Sequence, residues 1–457
     1  GGVHARLDSA SITAGPGRDT ITSLGSVSSV LKGNEGADNF SLSGNYTNSR
    51  IAGNQGQDSF TLAAAITLED TKIQGGSDND GVMDFRDNGG NAGITDAIDS
   101  TINGGKGVDF IQIGTVTSSS NFSVFGGQDD DRIESTNAGS DGITYAGDLG
   151  NDVLSITGNA DATVNGGDGN DILIVTGNGA NSIDMGAGND TFTDGAGNST
   201  IAGGAGNDTA TDAAGNDTYD LGAGNDTATD AAGNDSYTTG AGNDTATDAA
   251  GNDTYVLGDG NDTITNAAGN DTITGGAGAD TYQGASAGND DFIFTSISDS
   301  GAGGTTTRNA ANAVTGFTNT FDTFAAGSIT GGDEIDISAV AVQLAGNTLT
   351  RGDEIIDAIG AVAVADTVNT FAALQTAVAN QLTASTVNPG AGVTTNQIGL
   401  DVITIPGAGV ANGSYLIVNN SNRVLDSGDM MFELTGTAQE IAATAAAFQT
   451  AVEAAFV

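Results

Sequence analysis

An aspartate falls on every ninth residue through the middle of this chain. From Asp190 the series runs Asp208, Asp217, Asp226, Asp235, Asp244, Asp253, Asp262, Asp271 and Asp280, and the one slot in register that is not aspartate holds Ser199. Most of these residues follow Gly-Asn, as in Gly224-Asn225-Asp226. A period this short and this constant leaves few folds open. Each unit is too small to bury a core alone, so the units must stack on one another as a solenoid. A period of eighteen lies over the first. Turns reading Gly-Ala-Gly-Asn-Asp (Gly204–Asp208, Gly222–Asp226, Gly240–Asp244) alternate with turns reading Asp-Ala-Ala-Gly-Asn-Asp (Asp212–Asp217, Asp230–Asp235, Asp248–Asp253). One coil is therefore a pair of nonapeptides, with two turns and two short strands.

Between the turns, segments such as Thr218-Tyr219-Asp220 read as strands whose middle residue points inward, because side chains alternate faces. On one side of the coil the inward residues are Ile201, Tyr219, Tyr237, Tyr255 and Ile273; on the other they are Phe192, Ala210, Ala228, Ala246, Ile264 and Tyr282. Tyrosine facing alanine fills a thin core at constant thickness. Before Asp190 the turns end at Asp19, Asp38, Asp58, Asp80, Asp109, Asp131, Asp152 and Asp171, in steps of 19, 20, 22, 29, 22, 21, 19 and 19 residues up to Asp190. This spacing predicts one carboxylate turn per coil with an irregular turn opposite, and a loop around Asn88-Gly89-Gly90-Asn91 in the longest step. Residues 1 to about 290 then read as one solenoid of roughly 60 Å at about 4.8 Å per coil.

The turn residues have a chemical logic. Glycine allows φ > 0 and close approach of neighbouring backbones; aspartate presents a hard oxygen, the donor that calcium takes. An eighteen-residue coil stacks Asp208, Asp226 and Asp244 in one ladder and Asp217, Asp235 and Asp253 in another. Rungs about 4.8 Å apart cannot all carry a naked negative charge. The net charge of −47, from 11 basic and 58 acidic residues, makes the same point for the whole chain. It excludes nucleic acid as a partner, disfavours an anionic membrane surface and favours multivalent cations. There is no cysteine and no tryptophan, so neither disulfides nor a large aromatic core hold the fold, and metal is the substitute. Ser199 interrupts its ladder and predicts weakened sites beside it, whereas Asp212, Asp230 and Asp248 would add outer carboxylates.

These residues resemble the RTX family, whose consensus is Gly-Gly-x-Gly-x-Asp-x-U-x with U large and apolar. Gly104–Asp109, Gly166–Asp171, Gly203–Asp208 and Gly275–Asp280 match the turn in full, and most others depart at the first or second glycine. The resemblance covers about two thirds of the chain. It implies an all-β fold: a parallel β-roll or β-helix solenoid with calcium-binding turns, capped by a smaller mixed α+β C-terminal domain. It also implies several Ca2+ ions held by the sixth-position carboxylates of the series Asp19 to Asp190 and Asp208 to Asp280. The Gly and Asn before them, among them Gly206, Gly224, Gly242, Gly260, Asn207, Asn225 and Asn243, would supply carbonyls. Family members leave the cell through a one-step type I exporter that reads an uncleaved C-terminal signal. Such a route places the chain outside a Gram-negative-type bacterium, at the cell surface, and fits the absence of a basic and apolar leader.

The expected organisation is an irregular solenoid over 1–185, regular nonapeptide repeats over 186–290, and a cap with the export signal over 291–457. In the last part Asp291-Phe292-Ile293-Phe294 reads as a final strand, and Glu334–Ser338 as a strand capping the roll. Ser414–Val418 and Met430–Leu434 read as paired strands, and Asp353–Ala365 and Thr367–Thr383 as amphipathic helices. Thr437–Glu440 fits a helix-opening capping box before an acidic, lysine-free tail, which reads equally as export signal and terminal helix.

No His-Glu-x-x-His, no Gly-x-Ser-x-Gly and only one histidine, His4, are present, so a non-enzymatic role is expected. No run of about 18 apolar residues marks a transmembrane helix. Two roles remain. One is a structural surface protein of the S-layer type, self-associating into a lattice, rigidified by calcium and anchored to a surface polysaccharide. The other is the stalk of a calcium-dependent adhesin whose binding or catalytic part lies outside this chain.

Overall fold

The computed structural model describes residues 4–86, 93–139, 142–158, 161–283 and 290–293, and beyond these only the strands named below. The described residues contain no helix. The chain divides into two compact units, Gly1–Ala231 and Ala232–Val457.

In the first unit successive strands alternate between two sheets, and each strand pairs in parallel with its equivalent one coil later. In one sheet Leu31 pairs with Ile51, Ile51 with Ile73, Ile73 with Ile102 and Ile102 with Val124. The column continues through Tyr145, Val164, Ile183 and Ile201 to Tyr219. In the other sheet the column runs Ile21, Phe40, Phe60, Met83, Ile111, Ile133, Leu154, Leu173, Phe192, Ala210 and Ala228. All of these side chains are buried. Stacking of like on like adds to this burial: the Phe40 and Phe60 rings lie 4.6 Å apart and 7° from parallel.

The two columns trade volume along the chain. Phenylalanine in one sheet goes with Leu31 and Ile51 in the other, and where the second column becomes Tyr219 the first has shrunk to Ala210 and Ala228. The expected tyrosine and alanine columns are therefore the core. The long step from Asp80 to Asp109 carries an added strand, Ile94–Ile98, which pairs with Ser59–Glu69 and Val116–Ser120. The loop expected at Asn88–Asn91 lies outside the described residues.

In the second unit the pattern persists. Tyr237 pairs with Tyr255, Tyr255 with Ile273 and Ile273 with Phe292; Ala246 pairs with Ile264 and Ile264 with Tyr282. The Tyr237 and Tyr255 rings stack at 4.8 Å. The expected final strand is present as Asp291–Ile293, and Glu334–Asp336 pairs in parallel onto it, covering the open edge of that sheet. Asp322–Phe324 does the same for Thr281–Gln283. Met430–Leu434 adds to Asp322–Phe324 and runs antiparallel to Gly413–Asn419, the pairing expected from sequence.

The segment expected as a helix over Asp353–Ala365 instead contains two short strands, Ile356–Asp357 and Val362–Ala363, both paired with Gly399–Ile405. β-Branched Ile356 and Val362 suit a strand better than a helix. The segments 367–383 and 437–457 lie outside the described residues.

Candidate metal centre

Each expected metal-ligating aspartate closes a turn just before a strand, with its carboxylate folded back under the coil. Its Oδ1 accepts the backbone N–H of the equivalent aspartate one coil earlier. The Asp19 N–H donates to Asp38 at 2.7 Å, Asp38 to Asp58 at 2.8 Å, Asp58 to Asp80 at 2.9 Å and Asp80 to Asp109 at 2.7 Å. The ladder continues through Asp131, Asp152, Asp171, Asp190 and Asp208 to Asp226. In the second unit Asp244 donates to Asp262 and Asp262 to Asp280. On the opposite edge Asp235 donates to Asp253 and Asp253 to Asp271, while in the first unit the Ser199 N–H donates to Asp217.

The other carboxylate oxygen is the notable one. The Oδ2 atoms of Asp38, Asp58, Asp80, Asp109, Asp131, Asp152, Asp171, Asp190, Asp208 and Asp262 are buried and accept no hydrogen bond. Except for Asp190 and Asp262, whose turns open on Met185 and Leu257, they lie against the glycine that opens their own turn, beside a backbone carbonyl of the following coil. At Gly126 the Oδ2 of Asp131 lies 2.6 Å, and the carbonyl oxygen of Gly147 2.8 Å, from the point a Cβ would take. The same two oxygens converge at Gly33 (Asp38 and Gly53), Gly53 (Asp58 and Gly75) and Gly104 (Asp109 and Gly126). Two acceptors aimed at one point with no donor between them repel unless a cation stands there. The donors are all hard oxygens, the set a calcium ion takes. A side chain at these glycines would fill the space.

Burial is the main influence on these carboxyls and raises all of them. It carries Asp80 and Asp131 to about 8, Asp58, Asp109 and Asp152 to about 7, and Asp190 and Asp262 to about 6, with the N–H donated from the preceding coil pulling the other way. Neighbouring carboxylates add to the rise, among them Asp109 and Asp58 on Asp80.

The glycine and asparagine positions have their own roles. Gly206, Gly224 and Gly242 sit at φ of 145°, 154° and 149°, and a Cβ on Gly206, Gly224 or Gly260 would strike the glycine carbonyl one coil earlier. Asn207 accepts at its Oδ1 from the Asn225 N–H at 2.7 Å, and Asn243 from the Asn261 N–H at 2.8 Å. These asparagines thus form an exposed amide ladder, which sequence reading did not foresee. Their direction is opposite to that of the aspartates, since they accept from the coil that follows.

The turn opposite the first carboxylate ladder is regular over four coils only, before it becomes varied from Phe122 on. Ser29, Ser49, Thr71 and Ser100 are buried there, and their hydroxyls donate to the carbonyls of Val27, Thr47, Glu69 and Ile98. Three of these hydroxyls also accept backbone N–H groups from the preceding coil: Ala10 to Ser29 at 3.1 Å, Ser29 to Ser49 at 3.4 Å and Thr71 to Ser100 at 3.1 Å. Each follows a residue at φ of 46° to 48°, namely Ser28, Asn48, Asp70 and Asp99. The sequence signal was present: Ser29, Ser49, Thr71 and Ser100 stand nine residues before Asp38, Asp58, Asp80 and Asp109.

First-position aspartates converge on the second ladder. The carboxylates of Asp212, Asp217 and Asp230 come within 4.8 Å of one another, as do those of Asp235, Asp248 and Asp253. All six are buried. At Ser199 the pattern changes, because its hydroxyl donates to Asp194.

Among known proteins, the family model for the RTX calcium-binding nonapeptide repeat, built of four copies, matches residues 193–228, 230–264 and 267–292. No curated protein and no solved structure matches the chain. The matched segments coincide with the two-ladder coils, and the parallel solenoid is the fold such repeats build. Over residues 193–292 the chain carries calcium-binding nonapeptide repeats of the RTX type.

Proposed function

We propose that this protein is a calcium-built structural component of a bacterial cell surface, of the S-layer type, exported by a type I route. RTX repeats are typical of secreted bacterial proteins. Among the described residues no helix is long and apolar enough to cross a membrane. The observation that carries the calcium part is the convergence, in the glycine-opened turns, of a buried, donorless Asp Oδ2 with a carbonyl of the next coil. In this reading the sixth-position aspartates from Asp19 to Asp280 are the side-chain ligands. Gly206, Gly224, Gly242, Gly260, Asn207, Asn225 and Asn243 add backbone carbonyls. Calcium cancels two charges per ion against a net −47 and locks each coil to the next.

The irregular part over 1–185, the regular repeats over 186–290 and a cap from 291 form one architectural element in this reading, with no catalytic role. Self-association and attachment to a surface polysaccharide follow from the surface role. The composition supports it, since a chain dominated by glycine, alanine, threonine and aspartate suits bulk production.

A calcium titration read by circular dichroism and light scattering on one sample tests both parts. Gain of β-signal with growth into large particles is expected. Gain of β-signal in a protein that stays monomeric overturns the lattice and leaves a calcium-rigidified stalk. No gain of β-signal at millimolar calcium overturns the calcium reading.

A further inference from the structure

In the first unit, the outer face of one sheet carries opposite charges at its two ends. The strands Val30–Glu35, Arg50–Gln55 and Lys72–Gly76 lie side by side, and Lys32, Arg50 and Lys72 project outward from them, all exposed. Arg50 and Lys72 are direct cross-strand neighbours, and Lys32 pairs with Ala52 on the strand of Arg50. Further along the same sheet Asp184 and Asp220 project outward, also exposed, with Ala202 on the strand between them. Between these ends the two outward columns that contain Arg50 and Lys32 hold no charged residue, and Phe125 and Ala146 are neighbours at the middle. Lys106 and Asp148 lie outside these columns, nearer the turn.

Basic residues are scarce here, 11 in the whole chain, and none occurs between Arg132 and Arg308. Arg86 and Arg132, on or beside strands of the opposite sheet, are bridged to Asp84 and Glu134. Among the described residues no such bridge ties Lys32, Arg50 or Lys72; Arg50 donates instead to the Gln74 Oε1 on the next strand. Asp184 accepts the Asn165 amide at 3.3 Å. A cationic patch left without its own carboxylates, in a chain of net charge −47, is open to an anion from outside.

The same face supplies that anion in a second copy, at matching spacing. Counted along the sheet from Val30–Glu35 as the first strand, Lys32 is on the first, Arg50 on the second and Lys72 on the third. Phe125 is on the fifth, Ala146 on the sixth, Asp184 on the eighth and Asp220 on the tenth. Let a second copy be turned end for end about a twofold axis that runs parallel to the strands, between the fifth and the sixth. The first strand then faces the tenth, and the third faces the eighth. Lys32 meets the second copy's Asp220, Lys72 meets its Asp184, and Arg50 comes between the two aspartates. At the centre Phe125 faces Ala146, large against small. Each contact is made twice, once from either copy. Lys72 and Asp184 are five strand steps apart, about 24 Å.

We propose that this sheet face docks a second copy of the chain, antiparallel and related by a twofold axis, with Lys32 and Lys72 of each copy against Asp220 and Asp184 of the other. The proposal rests on the self-association offered above and names its surface and its orientation. A parallel arrangement would set lysine against lysine and aspartate against aspartate, so the charge pattern selects the antiparallel one. Two chains this acidic repel at a distance, and the opposed patches act only at close range, where salt screens them least.

The test is sedimentation of the full, calcium-loaded chain, at protein concentrations below those that give large particles and at about 50 and about 500 mM salt. The parent is expected to dimerise at low salt and to dissociate as salt rises. Lys32→Glu with Lys72→Glu reverses one half of the contact, and Asp184→Lys with Asp220→Lys the other; each pair is expected to weaken the dimer about tenfold or more. All four changes together restore opposite charges and should return the affinity to near the parent's. The aspartate pair decides most sharply. It adds four positive charges, taking −47 to −43, and would strengthen association if bulk repulsion alone governed. The side chains altered are exposed, so the β-signal should hold; if a reversal variant loses it, Lys32→Gln with Lys72→Gln takes its place and should weaken the dimer likewise. A folded parent that stays monomeric at low salt, or variants that associate as the parent does, overturn the proposal. So does a loss confined to the lysine pair, which would give the basic patch to another anion such as a surface polysaccharide. The lattice reading fails separately: calcium then yields no large particles, while the salt-sensitive dimer remains. Large particles from parent and variants alike, with no dimer below them, sink this face and leave the lattice.

Discussion

The two edges of the N-terminal coils solve one problem with different chemistry. On both edges a buried side chain must accept the N–H of the coil before it. At Asp38, Asp58, Asp80 and Asp109 the acceptor is a carboxylate, which has no proton to give and leaves its second oxygen unsatisfied. At Ser29, Ser49 and Ser100 it is a hydroxyl, which donates to a carbonyl two residues back within its own coil, as the Thr71 hydroxyl also does. The hydroxyl edge is electrically neutral and complete by itself. The carboxylate edge is incomplete by one cation per coil in the calcium reading. Around Asp208 to Asp280 carboxylates occupy both edges, so those coils have no self-sufficient side.

The largest expected consequence is on removal of calcium. Amide exchange in a chelator should lose all protection across Thr209–Thr211, Thr254–Asp259 and Thr263–Asn266, while Arg50–Gln55 and Lys72–Gly76, which start at the hydroxyl edge, keep measurable protection. Uniform loss along the chain would break the comparison between edges.

A smaller effect is expected from pH in the metal-free protein. Burial raises the carboxyls of Asp58, Asp80, Asp109, Asp131 and Asp152 to about 7 or 8, well above their values near 4 in an unfolded chain. Each binds its proton more tightly in the folded state. That contribution to stability is fully present below about pH 4 and is lost as pH rises through the range of 6 to 8. Chelated protein should therefore hold more β-signal at pH 5 than at pH 8, and calcium should restore the difference at pH 8. Equal signal at the two values would mean that the carboxylate edge does not govern folding.

The carboxylate edge was legible in the sequence because one residue type repeats there. Asp58 and Asp80 announce themselves by the glycines that must precede them. The opposite edge hid behind varied chemistry: Ser29, Ser49 and Thr71 give way to Phe122 and then to Asn181, whose Oδ1 accepts the Ala162 N–H. Asn181 meets the same backbone need as the hydroxyls and Phe122 fills the position with an apolar ring, so no single residue type marks it, although the nine-residue frame runs through it. The core columns were legible because inward positions alternate strictly, and Tyr219 against Ala228 could be paired by volume alone. The strands at Ile356 and Val362 were not, because short apolar runs satisfy helical and extended patterns alike. Nor was the contact between Tyr237 and Asp248, which joins residues eleven positions apart through the core.

The sharpest comparison places one substitution on each edge of neighbouring coils. Ser49→Ala removes a hydroxyl that donates to Thr47 at 2.9 Å and accepts from Ser29. The loss should be about 1 kcal/mol, the usual net worth of such a bond, and should be the same with and without calcium. Asp58→Asn keeps an oxygen for the Asp38 N–H and removes only the charge. With calcium present it should destabilise by weakening a ligand. Without calcium it should stabilise, because a buried carboxylate with a donorless oxygen has been neutralised. Thermal melts of both variants in calcium and in chelator read the two signs directly. A change of sign for Asp58→Asn beside a constant loss for Ser49→Ala makes calcium dependence a property of one edge. A constant loss for both would mean that the buried carboxylate is held by its hydrogen bond alone.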